Sequence, residues 1–506
     1  MKPNTPVPTN FSTFPRRDFL KGILAAGAVS VVTPHMLLAA QNKGAGSNKK
    51  KSAKPKSAAK KHAGEKIRVA GIGFGNRGRE VLERFDATGL ATIVALCDVD
   101  FEGTYAKRVI EMFPEAPRFQ DFRKMFDKMG SQIEAVVIAT PDHSHFPIAM
   151  LAMSLGKHVF VEKPMAHSFL QIQLLMDAAK RHNVVTQMGN QGHSEGNYFQ
   201  FKAWTEAGII RDVTRITAWM NSSRRGNDSE KFMFSKIAGY LPGQPVPDSL
   251  DWDNWLATAI ERAYNIGYTR GDWRSWFAFG NGTIGDWGAH ILDTAHEFLD
   301  LGLPTRVEAL KVQGHNQFVF PQGATIAFHF PARGAKPPVD LTWYDGHHNR
   351  PTLPSDMGEL VRDPNLPPAP GQSSDASKMN LGKIIYGKDS DGKDLLFKGG
   401  SHGATLEIIP KSRAREMASR LPGVPKSPSD HFANFLLACQ KREEARSPFS
   451  LAGPLCQFMA LGVIAQRLNV KLEFDRATKQ ITNNKLANAM LAGDPPRKGW
   501  EQYYRM

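Results

Sequence analysis

Ile67-Arg-Val-Ala-Gly-Ile-Gly-Phe-Gly-Asn-Arg-Gly78 runs an apolar strand straight into a glycine-rich turn. Gly73, Gly75 and Gly78 have the spacing G-x-G-x-x-G. In that pattern the first glycine permits a tight turn, the second lets backbone approach a pyrophosphate, and the third lets helix pack on strand. Strand, turn and helix in this order predict a dinucleotide cradle built from Gly73, Phe74, Gly75, Asn76, Arg77 and Gly78. Taken alone, the glycines also fit a tight strand-helix turn that binds nothing. A second apolar run, Ala91-Thr-Ile-Val-Ala-Leu-Cys-Asp98, ends in an acid about 20 residues past the last glycine, where a carboxylate can bond ribose hydroxyls. Asp98 therefore favours NAD. It would repel the 2′-phosphate of NADP, although Arg77 is placed to offset part of that repulsion.

Downstream of Asp98 the pattern alternates strands and helices, as in a doubly wound parallel sheet. Helices are expected over Thr104 to Phe113, Phe146 to Leu155 and Ser168 to His182. Strands are expected over Ala135 to Ala139, His158 to Glu162 and Val184 to Met188, with a short Arg118 to Phe122 segment before them. Polar clusters follow the strands: Thr140-Pro-Asp-His-Ser-His145, then Lys163-Pro164, then Gly189-Asn-Gln-Gly192. Ligands bind at that edge of such sheets. Beyond His193 the strands lengthen (Ile209 to Asn221, Val307 to Gln313, Thr325 to Phe330, Val339 to Tyr344), the loops grow and tryptophans accumulate. The expected architecture is α/β: a Rossmann domain over 67–192 and a second α/β domain over 193–506 on an open, largely antiparallel sheet. His431 to Gln440 and Ser450 to Leu468 read as helices, and His347 to Leu381 as a long Pro, Ser and Gly-rich insertion.

The formal charge of +15 suggests a nucleic-acid binder until it is located. Residues 1–66 hold 13 Lys and Arg against Asp18 and Glu65, so the remaining 440 residues carry a net of only +4. No nucleic-acid partner is expected. Arg16-Arg-Asp-Phe-Leu-Lys21, followed by the small apolar run Gly22 to Val32, resembles a twin-arginine export signal over 1–40. Pro34 and the shortness of the run argue against a membrane span, so the expected location is the periplasm or outside the cell, with membrane contact only through the signal. Residues 41–66 form a Lys, Ala and Ser-rich spacer without apolar periodicity, expected to be disordered. Cys97, Cys439 and Cys456 are too few for a disulfide framework and are expected to be free.

Two constellations carry chemistry. At the end of the fourth strand, Glu162-Lys163-Pro164 would project the Lys163 ammonium into the crevice, to polarise a substrate oxygen or, if desolvated, to move a proton. A surface lysine at a strand end is the bland alternative. The second is Asp286-Trp-Gly-Ala-His290-Ile-Leu-Asp293. On one helix, Asp286, His290 and Asp293 share a face while Trp287, Ile291 and Phe298 turn to the core. A histidine flanked by carboxylates can take a proton from an alcohol. A buried structural histidine or an Asp/His metal pair remains open on spacing alone, and no metal is expected without further ligands.

Together, the glycine turn, Thr140-Pro141 followed by His145, Glu162-Lys163-Pro164, and Asp286 with His290 resemble the Gfo/Idh/MocA family, named for glucose-fructose oxidoreductase, inositol dehydrogenase and a rhizopine-catabolism protein. The resemblance covers Ile67 onward. It implies a tightly held nicotinamide cofactor and a homo-oligomer formed through the second domain. It also implies catalytic roles for Lys163, His290 and Asp286, and cofactor contacts from the glycine turn, Asp98, Thr140, Pro141, His145, Glu162 and Lys163. The bond before Pro164 is often cis in the family. Trp273-Arg-Ser-Trp276 and Arg497-Lys-Gly-Trp500 resemble exported members of saccharide-degrading bacteria, while the 347–381 insertion departs from the pattern.

The implied activity is hydride transfer between nicotinamide and a carbinol carbon of a small sugar, glycoside or cyclitol. His290 would act as base, Asp286 would orient it, and Lys163 would stabilise the oxyanion. Trp252, Trp255, Trp273 and Trp276 are candidates either to stack on a sugar or to fill the core. A NAD-dependent glycosidase acting by transient oxidation and elimination would use the same parts. A binding protein without chemistry would be marked by loss of Lys163 or His290, and both are present.

Overall fold

The structure is a computed structural model, and it describes residues 65–222, 237–269, 271–354 and 381–506. The signal-like segment, nearly all of the spacer, much of the 222–251 loop and most of the 347–381 insertion lie outside the described residues.

The glycine turn opens a six-stranded sheet of order β3-β2-β1-β4-β5-β6. Its strands are β1 (Ile67–Ile72), β2 (Ala91–Cys97), β3 (Arg118–Phe119), β4 (Ala135–Ile138), β5 (His158–Val161) and β6 (Thr186–Met188). All pair in parallel. β4 reads Ala-Val-Val-Ile and is buried along its whole length, because helices cover both faces of a parallel sheet. The order reverses between β1 and β4, which opens a crevice at their carboxyl ends.

The second sheet has nine strands in the order β13-β12-β11-β7-β10-β9-β8-β14-β15. They are β7 (Arg211–Met220), β8 (Arg306–Gln313), β9 (Gly323–Phe330), β10 (Val339–Gly346), β11 (Leu381–Lys388), β12 (Asp394–Gly399), β13 (Glu407–Ile409), β14 (Lys471–Asp475) and β15 (Gln480–Ile481). Only β7 and β10 pair in parallel. Alternation along β7 sends Ile216, Ala218 and Met220 into the main core, and Trp219 into a smaller cluster with Ile384 and Ile409 on the opposite face.

The main core joins both sheets around the helix Phe449–Leu468. That helix is long and apolar enough to cross a membrane, but 78% of its apolar window is buried inside the protein, as befits a core helix. A boundary at 192/193 separates the sheets but not the cores. The helix His431–Cys439 returns to place Phe432, Phe435 and Leu436 against Phe85 and Phe160 on the outer side of the first sheet. Trp500 and Tyr503 likewise pack on Phe122, beside the same sheet.

Several sequence expectations are corrected. The helix expected from Phe146 already starts at Asp142, and β11 to β13 went unrecognised. The expected single helix carrying Asp286, His290 and Asp293 is two, Gly282–Ile291 and Asp293–Phe298, broken at Leu292. Asp293 therefore opens a new helix, and its Oδ1 accepts from the adjacent Thr294 N–H at 2.7 Å. Trp287 packs against the main core as expected, though only partly buried, and its ring also meets those of His290 and His402. Trp255, Trp273 and Trp276 fill an aromatic core with Tyr268 and Phe279, and Trp252 stacks on Trp255, so these rings pack the protein. None of the three cysteines is joined in a disulfide, as expected.

Candidate active site

Each glycine of the turn meets a distinct physical demand. Gly73 has φ +75°, and a Cβ there would lie 2.8 Å from the Thr140 nitrogen. A Cβ on Gly78 would sit 2.0 Å from the Gly73 carbonyl oxygen. At Gly75, by contrast, a Cβ would meet nothing within 4 Å, so the residue leaves open space in front of the backbone. Gly75 also caps the helix Asn76–Ala87 without a side-chain hydrogen bond, and the first turn holds no acid. The helix thus presents unsatisfied N–H groups and the positive end of its dipole to that open space, as a pyrophosphate requires. Gly75 and Asn76 are exposed, whereas the Phe74 ring is buried and only its backbone faces the turn.

Asp98 ends β2 beside the turn. Its Oδ2 accepts from the Phe74 N–H at 2.8 Å and its Oδ1 from the Asp100 N–H at 3.2 Å. Burial raises its carboxyl pKa to about 6 against the opposing pull of those N–H donors. Arg77 is not available as a general anion acceptor. Its guanidinium reaches Glu162 at 2.9 Å, Glu80 at 3.3 Å and Gln191 at 3.3 Å.

His145 serves as a brace between strand ends. One ring nitrogen lies 2.9 Å from the Pro164 carbonyl and the other 2.8 Å from the Thr140 carbonyl, with the ring almost wholly buried. It thereby ties the Thr140-Pro141 turn to the Lys163-Pro164 turn, whose peptide bond is cis.

Lys163, Asp286 and His290 come together across the crevice, in an arrangement that differs from the expected one. The Lys163 ammonium donates to the Asp286 carboxylate and, at 3.1 Å, to the Asp286 carbonyl. Asp286 thus holds Lys163, and its carboxylate is also near enough to His290 to favour a proton there. The His290 ring is buried, its Nδ1 has no hydrogen-bond partner, and it stacks on His402 with centroids 3.9 Å apart and planes 23° apart. Burial first, then the adjacent His402 ring and the Lys163 ammonium, hold the His290 pKa well below the usual imidazole value, so the ring is neutral. Asp293 instead faces His193, 3.3 Å away, and the other nitrogen of His193 lies 2.8 Å from Glu297.

Sequence reasoning missed His402 and His193. His193 directly follows the polar cluster after β6, which was a usable signal. His402 carried none, since it lies between two unrecognised strands. Among the described residues no group of three or more His, Cys, Asp or Glu is placed to hold a metal ion.

A Rossmann sheet with an open cradle at its first turn thus faces a lysine-carboxylate pair and a neutral histidine across the crevice. Residues 67–190 match a family profile described as "Oxidoreductase family, NAD-binding Rossmann fold", and residues 219–326 match its partner, "Oxidoreductase family, C-terminal alpha/beta domain". Both profiles are those of the Gfo/Idh/MocA oxidoreductase family, which the chain matches over these two stretches.

Among curated relatives, a "Glycosyl hydrolase family 109 protein 2" of Shewanella sp. (strain ANA-3) is 31% identical over 182 residues, which is 33% of this chain and 38% of that protein. An "Inositol 2-dehydrogenase/D-chiro-inositol 3-dehydrogenase" of Lactiplantibacillus plantarum is 28% identical over 193 residues, 38% of this chain and 52% of that protein. The similarity thus spans about two fifths to one half of these relatives' length. The WlbA dehydrogenase of Bordetella pertussis, solved in complex with NADH and UDP-GlcNAcA, shares the fold at TM-score 0.51 and 14% identity, over 81% of this chain and 99% of that one.

Proposed function

We propose that the protein is a NAD-dependent oxidoreductase acting on a hydroxyl-bearing carbon of a sugar, glycoside or cyclitol. The observation that carries this is the convergence of Lys163, held by Asp286, with a neutral His290, on a fold whose first turn leaves an open cradle at Gly75. The residues present fit a dinucleotide: Gly75 with the uncapped helix would hold the pyrophosphate, and Asp98 a ribose hydroxyl. With Arg77 engaged by Glu162 and Glu80, the carboxylate of Asp98 favours NAD over NADP. When bound, that cofactor supplies a hydride acceptor and donor at its nicotinamide ring.

The protein's own residues handle the proton and the charge. His290 is neutral and buried, so it can accept the carbinol proton. Lys163 remains slightly exposed and is anchored at one side by Asp286, which leaves a donor for the substrate oxygen as charge develops on it.

The second reading, a NAD-dependent glycosidase with no net nucleotide reduction, is favoured by the relatives named as family 109 glycosyl hydrolases. Export through the twin-arginine pathway, on the strength of Arg16-Arg17 and the run after them, would suit such a cycle, because the nucleotide would be loaded before export. Assembly into a homo-oligomer through the second domain belongs to the same proposal.

The test is to purify the protein without added nucleotide, denature it and identify what is released by mass spectrometry, then supply sugars, glycosides and cyclitols in turn. Near-stoichiometric NAD or NADH, with substrate-dependent reduction, supports the dehydrogenase. Release of free sugar without net reduction supports the glycosidase. No nucleotide, with no binding on titration, overturns both and leaves a binding protein.

A further inference from the structure

Ser401-His402-Gly403 lies between β12 and β13 and carries a non-glycine residue in the left-handed region, His402 at φ +50°. Such a backbone persists only where its surroundings hold it. Here they do. The Asn197 N–H donates to the Gly403 carbonyl at 3.0 Å. A Cβ on Gly192 would stand 3.0 Å from the His402 backbone, and one on Gly403 would stand 2.4 Å from the Glu195 carboxylate. The turn after β6 and the helix following it therefore clasp this loop from beneath.

What the clasp presents is an imidazole laid face-on over His290. Ser401 Oγ lies 2.9 Å from His402 Nδ1 and fixes the ring's rotation, and Trp287 meets the His402 ring edge-on at 5.4 Å. His402 is thus oriented on three sides: by its strained backbone, by Ser401 and by two aromatic neighbours.

We propose that His402 is a positioning residue for His290: its clasped ring fixes the plane of His290 and, by sharing that face, keeps a second positive charge out of the site so that His290 stays in its proton-accepting form. The inference rests on the oxidoreductase reading only for what that base does. The charged groups facing the pair are Lys163 and Arg77 from the first sheet and Asp286 and Asp293 from the two helices, with Glu195 beneath Gly403. The two cations disfavour a proton on either ring and the two aspartates favour it. Whichever ring takes a first proton then repels one from its neighbour 3.9 Å away. Burial, followed by Lys163 and Arg77, already lowers the His402 pKa to about 4.

The test uses the full-length protein with 13C-labelled histidine, titrated by NMR as wild type, His402→Phe and His402→Ala. Phenylalanine keeps a stacking ring without its nitrogens, and alanine removes the face entirely. In both variants His290 should become easier to protonate, its midpoint moving up by about half a pH unit or more. The acid limb of the pH-rate profile should move with it. The plateau rate should fall further in the alanine variant than in the phenylalanine one, by about tenfold or more, because only the latter holds the plane. Nucleotide binding serves as the control for folding. A His290 midpoint unmoved in both variants overturns the proposal, and so does an unmoved acid limb. If wild type turns over no substrate, the oxidoreductase reading falls while the NMR titration still decides the role of His402.

Discussion

His193 offers a prediction with a sign and a size. Its ring is almost wholly buried and held between Asp293 and Glu297, at 3.3 and 2.8 Å. Burial pulls the imidazole pKa down, but the two carboxylates outweigh it, and the pKa rises from 6.5 to about 9. A group whose folded pKa is raised contributes stability that is complete below its unfolded pKa and is lost as pH climbs through the folded value. The difference of roughly 2.5 units, at about 1.36 kcal/mol each, sets an upper bound of about 3 kcal/mol. The assay is urea unfolding of wild type and His193→Gln from about pH 6 to about pH 9.5. Glutamine retains hydrogen-bonding capacity but cannot carry the charge. The stability gap between the two should narrow by about 3 kcal/mol across that range, with most of the change between pH 6.5 and 9. Parallel curves would show that His193 is not held as an imidazolium and would refute the reasoning.

Four further outcomes are expected. Gly75→Ala should leave the melting temperature unchanged yet weaken NAD binding about tenfold or more, whereas Gly78→Ala, whose Cβ would stand 2.0 Å from a carbonyl oxygen, should lose both binding and about 1–3 kcal/mol of stability. Thermal melts paired with fluorescence titration separate the two cases. If, as proposed, the ammonium acts on the substrate oxygen, Lys163→Met should cut kcat about 1000-fold in steady-state assays while NAD remains bound. NAD affinity should fall about tenfold between pH 7 and pH 5 as Asp98, with its pKa near 6, takes up a proton, and Asp98→Asn should flatten that dependence in calorimetric titrations. Trp276→Ala should cost about 3–5 kcal/mol in denaturant melts and leave KM little changed wherever the protein stays folded, because the ring is wholly buried and its N–H donates to the Gly267 carbonyl at 3.0 Å.

The first sheet was legible because its signals are local. A parallel strand buried on both faces is an unbroken apolar run, and the glycine turn follows from steric demands within a dozen residues. The second sheet was legible only in part. β7 to β10 alternate visibly, whereas β11 carries Lys383 and β12 carries Lys398 at buried positions, so their pattern does not read as half-apolar. Lys398 lies 3.3 Å from Glu407 on the neighbouring β13, a pairing that no local window could supply. The same limit applied to the site. Lys163 and His290 could be named from their motifs, but which of them Asp286 would hold depends on how two domains meet, and so did the arrival of His402. Helical spacing carried Asp293 onto the His290 face until the break at Leu292 turned it toward His193.

The return of Phe432, Phe435 and Leu436 to the outer side of the first sheet has a consequence for synthesis. A ribosome would have made every strand of the nucleotide-binding sheet long before the helix that covers Phe85 and Phe160 emerges. Until then those rings face water, and a fragment ending near residue 192 would be a sticky, unfinished layer. Competence to hold a nucleotide should therefore appear late and abruptly, as a property of the completed polypeptide and not of its first half.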